Sequence, residues 1–281
     1  MIKSVSTTAL PEKPSPQLDY LLHSHLLTPT KKTQEKIVKT ISTLKLEDCE
    51  LFYSELRKRK LFKQPYPLQN NRLRRKKRTK HYIQTIKKIT EPFVQSIVAK
   101  SKFCDLGCGS GVITVGVLNA YLKKGGKIYG CDVTNYIDSS LKKYITFTKS
   151  DFSPYLKRVQ NDYFDGIMEI VMLHHLSSKT KFVLCLKEMI RVTKPGGLII
   201  LVETVHTSWH ELLKNAVLDK LLNERTNREL DCQIPVPLTF LSDEEINNVL
   251  QKLKIVILKE SRFKPSASDP KIHKIYICRK I

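Results

Sequence analysis

Three glycines in the stretch DLGCGSG, residues 105–111, are spaced so that the backbone could bind a ligand directly. A glycine-rich turn between a strand and a helix lets a ligand approach backbone N–H groups at the helix N-terminus. A P-loop would place a lysine directly after Gly116, where the chain has Val117. The dinucleotide fingerprint would place its third glycine at Val112. The pattern here is instead G-x-G-x-G, preceded by Asp105, which favours a third type of ligand.

Acidic residues follow the next two predicted strands. Asp132 ends the run Gly130-Cys131-Asp132, and Asp151 with Phe152 follows the strand after it. Ligands of open α/β sheets bind at the carboxyl ends of the strands. A carboxylate there could accept two hydrogen bonds from a ribose diol, while an acid beside an aromatic ring suits an adenine. Each acid alone is also compatible with a solvated loop, but three at successive strand ends predict a site for a nucleoside.

The elements that must position these residues form an alternating pattern after residue 100. Strand–helix alternation predicts an α/β fold, a Rossmann-like sheet of seven mostly parallel strands with helices on both faces. The last two strands are joined by the short connection 261–272, so we expect an antiparallel edge strand. The predicted strands are 102–106, 127–132, 144–148, 163–169, 198–203, 254–260 and 273–279, and the predicted helices are 111–123, 178–192, 208–224 and 242–252.

The first hundred residues lack this strand–helix alternation. Helical periodicity over 18–62 is interrupted by Pro65 and Pro67. A further helix is predicted from Tyr82, ending near Pro92 or continuing beyond it with a kink. The predicted division is a disordered tail over 1–17, a basic helical extension over 18–98 and an α/β domain over 99–281.

Positive charge is concentrated in that extension. Residues 1–100 contain 22 Lys and Arg against 8 Asp and Glu, and residues 57–80 contain 12 basic residues and no acidic one. Blocks of like charge repel one another, so a polyanion is the expected partner, nucleic acid before an anionic membrane surface. The same run also matches a nuclear localisation signal. The residues predicted to bind nucleic acid are Arg72, Arg74, Arg75, Lys76, Lys77 and Arg78.

The remaining composition indicates a cytoplasmic or nuclear protein. No apolar run approaches the roughly 18 residues of a membrane-spanning helix, and the first 17 residues contain no apolar core of a secretory signal. The seven cysteines are scattered, and their spacing predicts reduced thiols and no metal site.

Several motifs within residues 100–205 resemble those of the class I S-adenosylmethionine-dependent methyltransferases, and among them the type 11 group. DLGCGSG resembles the first motif, GCD the ribose-binding acid, and SDF the adenine-contacting position. FDGIMEIVMLHHL and RVTKPGGLIILVE resemble the fourth-strand and fifth-strand motifs. The resemblance implies S-adenosylmethionine as the cofactor, and a lid formed by residues 80–98. The implied cofactor-binding residues are Asp105, Gly107, Gly109, Gly111, Asp132, Asp151 and Phe152.

Methyl transfer from a sulfonium is an in-line displacement, so alignment of the acceptor supplies much of the rate. A base is needed only where the acceptor loses a proton. The candidate catalytic residues are Glu169, His174 and His175, with structural packing as the competing interpretation of the histidine pair. The resembling family usually has a small or polar residue at the position of Glu169. In that family the residue at this position could face the acceptor pocket or the methionine amine.

Absent motifs narrow the acceptor. No Asn/Asp-Pro-Pro-Tyr/Phe run follows the fourth strand, which disfavours methylation of adenine or cytosine amines, and no Pro-Cys dipeptide supports cytosine C5 chemistry. The Lys-Asp-Lys-Glu tetrad of ribose 2′-O-methyltransferases is also unrecognisable. tRNA-modifying, cap-guanine and small-molecule methyltransferases remain. VMLHHLSSKTK with the later KPGG resembles the tRNA wobble-uridine enzymes that esterify a carboxymethyl group.

The sequence therefore predicts an S-adenosylmethionine-dependent RNA methyltransferase that binds RNA through residues 57–80. Phe62, Tyr66 and Tyr82 lie among or beside these charges and could stack on bases. One alternative is a small-molecule methyltransferase whose basic segment serves targeting. Another is a nucleic-acid-binding factor that keeps the fold without catalysis.

Overall fold

The computed structural model describes residues 72–133, 137–176, 178–205, 241–253, 255–265 and 272–281, with the side chains of 72–78 excepted. The chain divides into two compact units, 1–69 with 207–236 and 70–206 with 237–281. All described residues belong to the second unit. The predicted tail, the helical pattern over 18–62 and the predicted helix 208–224 lie outside the described residues.

A seven-stranded sheet is the centre of this unit. Its strands are β1 (Lys102–Leu106), β2 (Lys127–Asp132), β3 (Ile145–Lys149), β4 (Phe164–Ile170), β5 (Thr193–Val205), β6 (Ile255–Phe263) and β7 (Ile272–Lys280). They lie in the order β3-β2-β1-β4-β5-β7-β6. Strands β1 to β5 are parallel, as the alternating sequence pattern predicts. β7 is antiparallel to both β5 and the outermost strand β6, which confirms the predicted antiparallel pairing at this edge.

Helices cover both faces, so the central strands are apolar on both sides. The helices are α1 (Arg72–Gln95), α2 (Val112–Val117), α3 (Asn119–Leu122), α4 (Phe152–Lys157), α5 (Lys179–Val192) and α6 (Asp243–Lys252), with 3₁₀ turns at Ser139–Leu141 and Leu173–His175. Side chains from α4, α5 and α6 fill one core with Cys104 and Leu106, while those from α1, α2 and α3 fill the other with Phe103. The alternation along β1 thus assigns successive residues to opposite cores.

Helix α1 joins the basic run to the core without interruption. Tyr82, Ile86 and Val94 are buried at helical spacing, and Pro92 lies inside the helix rather than ending it. Ile83 lies against Gly116 of α2 so closely that a Cβ there would be 2.7 Å from its side chain. The predicted lid covers residues 80–98. Its helical part, residues 80–95, packs against the core helices along one face, and the lid role stays a prediction.

Two predicted elements differ from the structure in instructive ways. The predicted helix 111–123 begins one residue later, because Gly111 has a left-handed φ of 77°, and bends at Leu118, where ψ reaches 15°. Backbone bonds from Leu118 to Thr114 and from Leu122 to Leu118 continue across the bend. Strand β5 begins before the predicted 198–203, because Thr193 already pairs with Phe164 ahead of a register shift.

No helix among the described residues is long and apolar enough to cross a membrane. The described cysteines are all unpaired thiols and are all buried, namely Cys104, Cys108, Cys131, Cys185 and Cys278.

Candidate active site

The glycine turn after β1 brings backbone donors to the end of β2. Gly107 N donates to Cys131 O at 2.8 Å, and Gly109 N donates to Asp132 Oδ2 at 3.0 Å. Both glycines have positive φ, 72° and 53°, a conformation that other residues adopt only at a cost. A Cβ at Gly107 would also lie 2.5 Å from Met172 Cγ. The turn therefore requires glycine, and it places Asp132 against the loop that the sequence predicted to bind a cofactor.

The end of β3 is joined to the same place. Ser150 N donates to Asp132 O at 2.9 Å, so the chain passes directly from Asp132 towards Asp151. Asp151 is exposed at the N-terminus of α4. Phe152, the first residue of α4, packs against the core to which α4 and α5 contribute. The structure thus brings these predicted site residues to neighbouring strand ends, and their contacts with an adenine stay a prediction.

Asp105 lies beneath the turn with only 3% of its surface exposed. Thr114 Oγ1 donates to its Oδ2 at 2.5 Å, and its Oδ1 is buried without a hydrogen-bond partner among the described residues. The pKa of Asp105 is raised to about 8, mainly by burial and further by the charges of Glu169 and Asp132, while the hydrogen bond from Thr114 acts against this rise. An unpartnered carboxyl oxygen in the core is costly, so this atom calls for a polar or cationic partner.

The end of β4 is shaped by a strained residue and a buried acid. Val171 has a φ of 57°, unusual for a β-branched residue, and its N–H donates to Val202 O at 2.7 Å. Glu169, which is fully buried, accepts hydrogen bonds from Met172 N at 3.1 Å and Val202 N at 3.2 Å. These contacts favour a positioning role for Glu169, and its place among the catalytic residues stays a prediction.

Glu203, near the end of β5, holds the 3₁₀ turn that follows. Its Oε1 accepts from Leu173 N at 2.8 Å and His174 N at 3.3 Å, and its Oε2 lies 2.9 Å from His174 Nδ1. His174 is buried, and its ring centroid is 4.0 Å from that of His175, which is partly exposed. The predicted histidine pair therefore lies together, with His174 tied to an acid that the sequence did not single out.

Asp132, Asp105, Glu169 and Glu203 come from four adjacent strands, β2, β1, β4 and β5 respectively. The chain order reverses between β1 and β4, and such a reversal opens a crevice at the carboxyl edge of a parallel sheet. The structure therefore collects the predicted glycines, acids and histidines at one edge. The exceptions are the predicted nucleic-acid-binding residues, Arg72 to Arg78, whose backbone forms the first two turns of α1 and whose side chains lie outside the described residues.

Residues 104–201, which contain this edge except Glu203, match the family model described as "Methyltransferase domain". The chain contains a methyltransferase domain. Its fold is that of the class I S-adenosylmethionine-dependent methyltransferases, as the motifs predicted.

Solved structures support the fold of the methyltransferase domain. An S-adenosylmethionine-dependent methyltransferase from Archaeoglobus fulgidus has a TM-score of 0.51 at 16% identity, over 70% of this chain and 94% of that one. Magnesium protoporphyrin IX methyltransferase from Synechocystis PCC 6803, with bound S-adenosylhomocysteine, has a TM-score of 0.52 at 16% identity, over 82% and 94%. At this identity the similarity establishes the fold and not the substrate.

One curated relative is the tRNA (carboxymethyluridine(34)-5-O)-methyltransferase of Arabidopsis thaliana, 27% identical over 114 residues. The match covers 39% of this chain and only 25% of the relative, so the chain spans about a quarter of the length of that protein. The similarity is thus confined to a part of each protein.

Sequence reasoning missed two contacts of the methyltransferase domain. Glu203 ends the apolar run LIILV, and a lone carboxylate at the end of a buried strand could have marked it as a candidate. Thr114 gave no such signal, because a threonine inside a helical pattern is ordinary until its partner Asp105 is known to lie opposite.

Proposed function

We propose that this protein transfers a methyl group from S-adenosylmethionine to RNA, with a tRNA base or the guanine of an mRNA cap as the acceptor. The observation that carries the proposal is the glycine turn of β1, where Gly109 N–H fixes the carboxylate of Asp132 at the end of β2. In this position Asp132 can accept hydrogen bonds from a ribose diol, while the glycines of the turn allow a ligand to approach the backbone.

The residues under the turn fit a cationic cofactor. S-adenosylmethionine carries an ammonium and a sulfonium, and the buried Oδ1 of Asp105 has no partner among the described residues. A cation near this atom would satisfy it and favour its ionised form. When bound, the cofactor supplies an activated methyl group, so the residues of this chain hold the donor, align the acceptor and exclude water, and a base is needed only where the acceptor loses a proton.

The choice of RNA is supported by charge and by the Arabidopsis relative. Residues 57–80 carry 12 basic side chains without an acidic one, and such a run is suited to phosphate groups. Helix α1 continues from Arg72 to Gln95, so its last four turns pack on the core that includes α2 and α3, while its first two carry the basic run. The partial similarity to a tRNA methyltransferase points to the same class of substrate.

The experiment that tests the RNA assignment replaces all six basic residues between Arg72 and Arg78 with Gln in the full chain. Binding of total tRNA is measured against salt concentration. If these side chains each neutralise a phosphate, the slope of log K against log salt falls by about 4, because each contact contributes about 0.7 on single-stranded RNA. The matched control replaces six exposed lysines elsewhere with Gln, namely Lys123, Lys142, Lys157, Lys181, Lys187 and Lys264.

A slope that changes equally in both variants contradicts a specific role for the basic run. Retained methyl transfer to small molecules with an unchanged RNA slope would favour the small-molecule alternative, in which this run serves targeting. RNA binding without any methyl transfer would favour the non-catalytic factor.

A further inference from the structure

The carboxylate of Glu203 accepts hydrogen bonds from the 3₁₀ turn Leu173–His175. Glu203 is 3% exposed and receives three hydrogen bonds from this turn, two from backbone N–H groups and one from His174 Nδ1 at 2.9 Å. A buried carboxylate is tolerated when its lone pairs are used in this way. Glu203 therefore fixes both the backbone of the turn and the orientation of the His174 ring.

The same contacts determine which nitrogen of His174 carries the proton. An ionised carboxylate only accepts hydrogen bonds, so a ring nitrogen 2.9 Å from it must donate. In a neutral imidazole the proton is then on Nδ1, and Nε2 has the lone pair. Glu203 selects this tautomer provided that it keeps its negative charge.

Glu169 helps Glu203 to keep that charge. The two carboxyl groups are hydrogen-bonded to each other, and burial together with the charge of Glu203 raises the pKa of Glu169 well above its usual range. Burial also raises the pKa of Glu203, but the hydrogen bonds from Glu169 and the backbone of the turn act against that rise. The shared proton therefore belongs to Glu169, which donates it to Glu203.

The turn borders the cofactor loop. Met172, the residue before the turn, lies where a Cβ on Gly107 would be 2.5 Å from its Cγ. His174 follows two residues later and is only 6% exposed, so water has little access to its ring. His174 is therefore two residues from a side chain that borders the glycine turn, and its ring is shielded from bulk solvent.

We propose that Glu203 is a positioning residue that holds His174 in the Nδ1–H form, so that Nε2 takes the proton which the acceptor loses on methylation. The inference rests on the proposed methyl transfer. The acceptor atom forms its bond to the methyl carbon, the carbon–sulfur bond breaks with its electron pair remaining on sulfur, and the acceptor proton moves to Nε2. The acceptor is therefore an N–H or O–H group, whereas a carboxylate, already ionised, would need no base.

The first test reads the tautomer and needs no cofactor. Long-range ¹H–¹⁵N spectra are recorded on full-length protein labelled in its eight histidines, with His174 assigned from a His174→Gln variant. We expect Nδ1–H in the unaltered protein. Glu203→Gln can still accept from the turn through its amide oxygen, but its NH₂ would face Nδ1 and move the ring proton to Nε2. Glu169→Gln and the exposed control Glu244→Gln should leave the tautomer unchanged.

The second test measures methyl transfer to total RNA by the same variants. Glu203→Gln should lower kcat about 100-fold, within the range for loss of a general base, with KM for S-adenosylmethionine within about threefold of the unaltered value. His174→Gln should lower kcat similarly, and the double variant should lose no more than either single variant, because the two residues act as one unit. Glu244→Gln should keep full activity.

Three results would overturn the proposal. These are an Nε2–H tautomer in the unaltered protein, a tautomer that Glu203→Gln does not move, and a moved tautomer with kcat unchanged. Failure of the unaltered protein to methylate any RNA would instead contradict the proposed function, and the spectra distinguish this case because they do not depend on turnover.

Discussion

The two halves of the carboxyl edge are built by different means. At β1 and β2 the site consists of backbone, since Gly107 and Gly109 N–H groups reach Cys131 O and the Asp132 carboxylate. At β4 and β5 it consists of side chains, since Glu169 and Glu203 hold the backbone that follows β4. The first half suits the constant part of a reaction, the donor, while the second suits the part that varies, the acceptor.

This difference determines which substitutions each half can tolerate. Backbone donors are kept by any residue that allows the required φ, so the first half depends on a few glycines and one acid. The second half depends on a network in which each carboxyl group needs its partner, and one lost partner leaves a buried polar group unsatisfied.

The largest expected effect concerns the one side chain on which the first half depends. Asp132→Ala removes the acceptor of Gly109 N–H and the carboxylate offered to the ribose. We expect the Kd for S-adenosylmethionine to rise about 100-fold, or about 2.7 kcal/mol, as for loss of charge-assisted hydrogen bonds. Isothermal titration measures this, with Asp132→Asn as the matched control, because it keeps an acceptor for Gly109 and should lose less. Equal affinity in all three proteins would contradict the assignment.

The contact between the two halves can be tested by a pair of glycine substitutions. Gly107→Ala must adopt a φ of +72° and also meet Met172, while Gly196→Ala must adopt +74° with nothing within 4 Å of its Cβ. The left-handed conformation should lower the free energy of unfolding of each variant by about 1 kcal/mol. The clash with Met172 should lower that of Gly107→Ala by about 2 kcal/mol more. Denaturant unfolding measures the difference. A similar decrease in the free energy of unfolding in the two variants would contradict close packing between Gly107 and Met172.

The smallest expected effect concerns Asp105, whose pKa is raised by acids of both halves and above all by burial, to about 8. Because the folded state binds this proton more tightly than the unfolded chain, the stability from Asp105 is complete below about pH 4 and is lost as the pH rises towards 8. Between pH 6 and pH 7 the unaltered protein should lose about 1 kcal/mol relative to Asp105→Asn. Denaturant unfolding at both pH values checks this, and parallel pH dependence in the two proteins would show that Asp105 is ionised in the folded state.

The same contrast governs how much the sequence could predict. The glycine turn and Asp105 are contiguous in sequence, and Asp132 ends the next predicted strand, so their positions alone predicted a nucleoside site. Glu203 and His174 are 29 residues apart, and their contact depends on the parallel register that places Glu169 opposite Leu201. The early start of β5 at Thr193 was missed for a related reason, because pairing with Phe164 extends the strand ahead of Gly196 and Gly197, which read as a turn.

The measurement that tests the central claim most directly is transfer of labelled methyl from S-adenosylmethionine into total cellular RNA, digested to nucleosides and separated. Label in one nucleoside with the unaltered protein, and none with Asp132→Ala, is the expected result, and it would name the methylated nucleoside. Label absent from RNA while the cofactor still binds would contradict RNA as the substrate.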